Sequence, residues 1–213
     1  KFKSSELGDI PESWEVVRLG DLSDVKRGLA SHQLSYIEDP EKGVRLIRIN
    51  DFKNYDPKYI VETDETRRLC LKIGDVLMAG TGATAGISIL VDEAWEGLPF
   101  SYNAPRIRVK NSLSPEFLYY FLNTELTIEQ QRRLFTGNAQ PFLDTRAIAS
   151  LKILFPPSHE QQKIAAVLIS VDNKLQSLQS RKETYQQLKK GLMQQLLTGK
   201  IRVNTTQNEP ALA

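Results

Sequence analysis

Up to residue 155 the apolar residues of this 213-residue chain fall in short runs; beyond residue 158 they recur in sevens. The short runs predict strands and short helices. Residues 1–13, punctuated by Gly8, Pro11 and Ser13, read as an extended lead-in. Strands are predicted at Trp14 to Leu19, Val44 to Ile49, Val76 to Ala79, Ile87 to Val91, Phe100 to Val109 and Leu151 to Phe155. They are rich in β-branched and aromatic residues and bounded by turn residues. Pro105 places the Phe100 run at a sheet edge or a bulge, because proline cannot donate to a ladder. Ala30 to Gly43 and Asn54 to Asp64 read as loops. Ser114-Pro115 opens a helix, serine as N-cap and proline in the first turn. Further helices are predicted at Leu126 to Phe135 and Asp144 to Ser150. Together these elements predict an α+β or α/β domain over residues 1–157, built on a mixed, twisted sheet.

The sevenfold repeat predicts something different. Ile164, Val171, Leu178, Tyr185 and Leu192 occupy one heptad position, and Leu168, Leu175, Lys182, Lys189 and Leu196 another. Eight of these ten are apolar or aromatic over five heptads, the signature of a coiled coil. Pro156-Pro157 ends the preceding strand, and Ser158 with Gln161 reads as a capping box. Gly199 supplies the stop. The 41 residues from Ser158 to Thr198 give a helix about 60 Å long. A stripe so narrow and long requires a second helix, and the chain offers no other of that length. The competing reading is a helix folded across its own domain. The predicted division is a domain at 1–157, a dimerisation and spacer helix at 158–199, and a disordered tail at 200–213.

Composition adds boundaries. With 40% hydrophobic and 25% charged residues the chain has enough apolar content for a packed core. A single cysteine, Cys70, excludes an intrachain disulfide framework and points to a reducing compartment, here the cytoplasm. Two histidines and one cysteine argue against a structural zinc site. No run approaches the ~18 apolar residues of a membrane span, and no signal peptide is expected at Lys1. The net charge of +2 is unevenly spread: residues 1–157 hold 20 basic and 22 acidic side chains, residues 158–203 eight and three. The helix is the basic part, facing either nucleic acid or solvent. A near-neutral domain that binds DNA must do so through a local patch.

Two stretches offer such a patch. Gly80-Thr81-Gly82-Ala83-Thr84-Ala85-Gly86 lacks the Gly-Lys-Ser/Thr of a nucleotide-binding P-loop and lies between strands. Its backbone N–H groups and the hydroxyls of Thr81 and Thr84 suit nucleic-acid phosphates; a plain turn is the alternative. Arg132 and Arg133 precede Thr136-Gly137-Asn138-Ala139-Gln140-Pro141, where the amides of Asn138 and Gln140 can pair with adenine edges. The alternative is a turn with solvated arginines. No catalytic constellation emerges. Acidic pairs such as Asp64-Glu65 and Asp92-Glu93 sit in predicted loops, and Asn-Pro-Pro-Tyr and Asp-Pro-Pro-Tyr are absent.

Several motifs resemble the specificity subunits of Type I restriction–modification enzymes. Pro11-Glu12-Ser13-Trp14-Glu15-Val16-Val17-Arg18-Leu19-Gly20 is similar to the opening of their target-recognition domains. Leu71-x-x-Gly74-Asp75-Val76-Leu77 with the Thr81-Gly82 turn resembles the middle. Gly137-x-x-Gln140-Pro141 and Ile153-x-x-Pro156-Pro157-x-x-Glu160-Gln161-x-x-Ile164-Ala165 resemble the end, and Leu196-Leu197-Thr198-Gly199-Lys200 resembles the end of the family's helix. The resemblance implies a non-catalytic subunit that reads double-stranded DNA. A complete subunit has two recognition domains, each followed by a helix, and the helices pack antiparallel as a spacer. Each domain reads half of an interrupted site. Methyltransferase subunits bring S-adenosylmethionine, and restriction subunits bring ATP hydrolysis and cleavage, so no cofactor is expected in this chain. One domain and one helix are half of that pattern, which implies a homodimer of half-length subunits or a piece of a longer chain. The alternative is an interaction scaffold that modulates such a complex without reading DNA.

Overall fold

A computed structural model of the chain describes residues 1–53, 56–110, 112–135 and 141–203. It forms two compact units, Lys1–Ala166 and Val167–Ala213.

The first unit opens with a hairpin, β1 (Phe2–Ser5) and β2 (Gly8–Pro11). Next come β3 (Glu15–Arg18), the single turn α1 (Leu19–Leu22) and β4 (Ser23–Lys26). A small subdomain holds β5 (Tyr36–Ile37), β6 (Val44–Leu46) and β7 (Lys58–Ile60), followed by α2 (Asp64–Arg68). Then follow β8 (Val76–Met78), β9 (Ser88–Leu90), β10 (Arg106–Val109), α3 (Pro115–Leu122), α4 (Glu125–Leu134), α5 (Thr145–Ser150) and β11 (Lys152–Phe155). The long helix α6 covers Ser158–Leu196.

The fold class is α+β with a long C-terminal helix, but the strands do not make one mixed sheet. Among the described residues they make four small antiparallel ladders: β1-β2, β4-β10-β8-β9, β11-β3 and β5-β7-β6. Strands of two to four residues are too short for an extended sheet. Among the described residues parallel pairing is seen as single bridges, Leu29 to Ser101 and Ile47 to Phe100. Those bridges join ladders. The Phe100 carbonyl accepts from Leu29 N–H at 2.8 Å, the Pro99 carbonyl from Ile47 N–H at 2.9 Å, and Tyr102 N–H donates to the Leu29 carbonyl at 2.8 Å. Gly28 makes this stitching possible: a Cβ there would lie 1.9 Å from the Phe100 carbonyl oxygen.

Three apolar clusters fill the unit. The largest gathers Leu19, Val76, Met78, Ile107, Leu118, Leu122, Ile148, Leu151 and Ile153. A second holds Ile47, Leu71, Leu77, Val91 and Phe100, and a third Leu29, Leu46 and Ile60. β8 sends Val76 and Met78 into the first cluster and Leu77 into the second. It is buried on both faces, which is why its sequence is an unbroken apolar run.

Elsewhere tertiary pairing overrode local pattern. The extended lead-in folds back as the β1-β2 hairpin, and Glu6 in its turn pairs with Lys152. Strands β5 and β7 form inside the stretches predicted as loops, as short pairings that carry no strong apolar period, and helix α2 opens on the Asp64-Glu65 pair predicted to lie in a loop. Pro105 precedes β10, which lies inside its sheet between β4 and β8. The proline marks the start of the strand rather than an edge, and its carbonyl accepts from Met78 N–H at 3.0 Å. Helix starts followed their signals: Ser114 Oγ accepts from Phe117 N–H, and Asp144 Oδ1 from Ala147 N–H at 2.7 Å. At α6 the capping-box signal misled. The helix starts at Ser158 as expected, but the Pro157 carbonyl receives the N–H groups of Glu160 and Gln161, and the Gln161 side chain bonds to Ser114, Ser112 and Pro156 rather than completing a capping box.

Candidate nucleic-acid interface

The motifs that carry the family resemblance serve first to close the domain. β3 pairs with β11 from Glu15↔Phe155 to Arg18↔Lys152, which brings the two ends of the fold together. Trp14 Nε1 donates to Glu160 Oε2 at 2.8 Å across that junction. Gln161 is 1% exposed. Its Oε1 accepts from Ser114 N–H, and its Nε2 donates to the carbonyls of Pro156 and Ser112. Asp75, also 1% exposed, accepts two bonds of 2.7 Å from Arg108 and one of 2.8 Å from Lys72 N–H. Its bond raises the Arg108 guanidinium pKa further, while burial pushes Arg106 down. Both stay cationic at neutral pH because a guanidinium loses its proton only far above it. These groups are committed to the fold and are not free to read a ligand.

The glycine- and threonine-rich loop is placed differently. Gly82–Thr84 make one 3₁₀ turn between β8 and β9. Thr81 bridges to Phe142, Gly82 N–H donates to the Pro141 carbonyl, and Leu143 N–H donates to the Gly80 carbonyl at 2.8 Å. On its other side the loop meets α4. Gly86 has φ +90°, and a Cβ there would lie 2.0 Å from Gln131 Oε1. Ala85, Gly86, Ile87, Gln131, Arg132 and Phe135 line a crevice of about 280 Å³. The loop therefore touches both segments that flank residues 136–140. Thr81 and Thr84 are partly exposed and Arg132 is exposed. Arg133 is exposed too, with Glu129 3.9 Å away one turn back, a pairing worth little at such exposure. The structure brings Thr81, Thr84 and Arg132 into one neighbourhood; Asn138 and Gln140 lie outside the described residues.

Three neighbours of this loop escaped the sequence reading. The Arg27 guanidinium lies 4.1 Å from the centroid of the Tyr102 ring and 4.8 Å from that of Phe142. No local pattern links residues 75 to 115 positions apart, so nothing in the sequence signalled the cluster. Beside it, Ser101, Tyr102, Asn103, Asn50, Arg48 and Tyr36 line a cleft of about 180 Å³. Tyr36 and Arg48 also line a wider one of about 670 Å³ with Lys58 and Tyr59. Arg48 is engaged with Asp51 and Asp56, and its bond holds the Asp56 carboxyl below the usual range.

Within α6, Ile164 packs against the largest cluster of the first unit and Ala165 is buried. The second unit is otherwise. From Val167 onward Val171, Leu175, Leu178, Tyr185, Leu192 and Leu196 are all exposed, Tyr185 by 61% and Leu175 by 58%. Leu168 is partly exposed. Tyr185, Leu188, Leu192, Met193, Leu196 and Leu197 border an apolar hollow of about 330 Å³. Among the described residues no His, Cys, Asp and Glu side chains converge as a metal site, and no helix is long and apolar enough to cross a membrane.

The α+β unit presents a polar, aromatic and cationic surface beside the Gly80–Gly86 loop, and the helix that continues it carries an exposed apolar stripe. The chain belongs to the family described as the Type I restriction modification DNA specificity domain, whose model matches residues 11–189. It is 31% identical over 220 residues to the Type I restriction enzyme MjaVIII specificity subunit of Methanocaldococcus jannaschii, covering 95% of this chain and 49% of that subunit. Its fold is similar to the HsdS subunit from Thermoanaerobacter tengcongensis, with a TM-score of 0.59, 20% identity and coverage of 94% of this chain and 53% of the other. It is also similar to a chain solved in a study of complex assembly and conformational transition of the type I R-M system, with a TM-score of 0.64, 21% identity and coverage of 89% and 46%. The chain spans about half the length of the curated relatives it matches. The family is one of specificity, not catalysis.

Proposed function

We propose that this chain reads one half of an interrupted DNA site for a Type I restriction–modification complex, and that it pairs through α6 with a second copy. The observation that carries the reading is the exposed apolar stripe of α6 following a unit that matches the specificity family. Residues 1–157 act as the recognition domain, 158–199 as the dimerisation and spacer helix, and 200–213 as a tail. The DNA face is centred on Thr81, Thr84, Arg132, Arg133, Asn138 and Gln140. Backbone N–H groups and hydroxyls of the loop hold phosphate, the arginines add charge, and the amides read bases. Leu168, Val171, Leu175, Leu178, Tyr185, Leu192 and Leu196 form the seam, and Ile164 ties its start to the domain. Methyltransferase subunits dock beside the DNA and restriction subunits follow. S-adenosylmethionine and ATP belong to those partners, and the complex acts in the cytoplasm.

The experiment is selection from a randomised duplex pool, with and without a methyltransferase subunit. The expected product is an inverted repeat with an unread gap. Binding with no sequence preference in either arm would refute DNA reading and leave a scaffold.

A further inference from the structure

We propose that Arg27 is a base-reading side chain of the recognition unit, its guanidinium held by Tyr102 and Phe142 so that its N–H edge meets a guanine in the major groove. The inference rests on the DNA-recognition reading and deepens it by naming a determinant of sequence choice.

The first ground is contrast among the arginines. Arg48, Arg67, Arg106, Arg108 and Arg133 each have a carboxylate within 4 Å. Among the described residues Arg27, like Arg132, meets no carboxylate; what sets it apart is its neighbours, the Tyr102 and Phe142 rings at 4.1 and 4.8 Å. A ring contact holds a guanidinium through its charge and supplies no oxygen or nitrogen acceptor for its N–H donors. Among the described residues the charge meets no carboxylate and the fork of donors has no acceptor assigned to it.

The second ground is how firmly the group is placed. Arg27 follows the last residue of β4, whose Lys26 is in register with Arg106. On its other side Gly28 packs against the Phe100 carbonyl and Leu29 N–H is bonded to it. Tyr102 is fixed by its N–H bond to the Leu29 carbonyl, and Phe142 by its bridge to Thr81. Both rings therefore come from backbone that is itself tied down. Binding a phosphate needs only a positive charge within reach. Binding a base edge needs a planar fork already aimed, because O6 and N7 of guanine take two parallel bonds. Immobilisation between rings removes entropy that the fork would otherwise lose on binding.

The third ground is location. Phe142 joins Arg27 to the Thr81 loop, and Tyr102 joins it to the polar cleft lined by Ser101, Asn103 and Asn50. Arg27 lies between the two.

The test is the same randomised-pool selection performed with the full-length parent chain, Arg27→Lys, Arg27→Gln and the double variant Tyr102→Leu/Phe142→Leu, each checked for an unchanged thermal transition. Lysine keeps the stem and the charge but lacks the fork, so it remains informative should glutamine impair folding. The expected result is loss of preference at one G·C pair in each half-site, by about ten- to a hundredfold, in both Arg27 variants. Other positions stay unchanged, and the ring variant loses part of the same preference. Uniform weakening on all sequences with a salt slope reduced by about one would make Arg27 a phosphate contact and overturn the proposal. Unchanged selection would overturn it as well, leaving Arg27 as packing. A parent chain without any preference would instead refute the recognition reading, and this inference with it.

Discussion

The first turns of α6 and the remainder of the same helix are made of similar residues and live in opposite circumstances. Up to Ala166 each large or polar side chain facing the domain is used: Glu160 by Trp14, Gln161 by three backbone groups, Ile164 and Ala165 by the core. Beyond Ala166 the apolar side chains meet water, with Leu175 58% and Tyr185 61% exposed. A protein tolerates scattered exposed leucines, but here they recur in heptad register, interrupted by Lys182 and Lys189, and large exposed apolar stripes mark interaction surfaces. The contrast separates two reasons for a motif. The proline–Glu-Gln–Ile-Ala junction fuses helix to domain; the heptads beyond it carry the stripe on which the proposed pairing rests.

The strongest way to break this comparison is at the stripe. Replacing Leu175 and Leu178 by Asp puts charges at the seam on both helices of a pair. The expected loss is roughly 4 kcal/mol or more, about a thousandfold in dissociation constant, from lost burial and buried charge. Sedimentation equilibrium measures it, with the fold of the first unit preserved by circular dichroism. Equal association by parent and variant would mean that the stripe is not the seam.

The converse test works on the anchored end. Gln161→Ala leaves Ser114 N–H and the carbonyls of Pro156 and Ser112 without their partner. The expected cost is about 2–3 kcal/mol of domain stability, read by urea unfolding, because buried groups left unpaired lose their full solvation. Self-association should persist under native conditions. A variant as stable as the parent would show that water replaces the amide and that the junction is not tightened by this residue.

The smallest effect is expected at the DNA face. Arg132→Ala with Arg133→Ala removes two exposed charges. Binding should weaken by about tenfold, with the salt slope falling by roughly two and site preference unchanged. Titration of a selected duplex at several salt concentrations measures both. An unchanged slope would move the phosphate contacts off the end of α4.

What the sequence disclosed follows from the range of the forces involved. Helix starts at Ser114 and Asp144 and the long helix were legible because caps and heptads act over a few residues. The double-sided burial of β8 was legible from its unbroken apolar run. Strands β5 and β7 were not, being two and three residues long and paired across 12 to 24 positions without an apolar period. At the candidate site the Gly80–Gly86 loop and Arg132 could be singled out by composition. Their joining through Gly86 and Gln131 could not, and neither could Arg27, whose rings arrive from residues 102 and 142. Gln161 shows the opposite failure: a local rule assigned it to a cap, and tertiary hydrogen bonds outbid it.

The central claim is that two copies of this chain, paired antiparallel along α6, set the distance between two identical half-sites. A helix of 39 residues is about 58 Å long, more than one ~34 Å turn of DNA. The half-sites should lie about one turn apart, centre to centre. The most direct measurement is site selection from a randomised duplex pool by the parent chain and by a variant lacking residues 172–178. That deletion removes one heptad, about 10.5 Å of helix, and preserves the register of the stripe. The account predicts an inverted repeat for both proteins, with identical half-sites and a gap about three base pairs shorter in the deletion. An asymmetric site, or a gap that stays the same after the deletion, would contradict it.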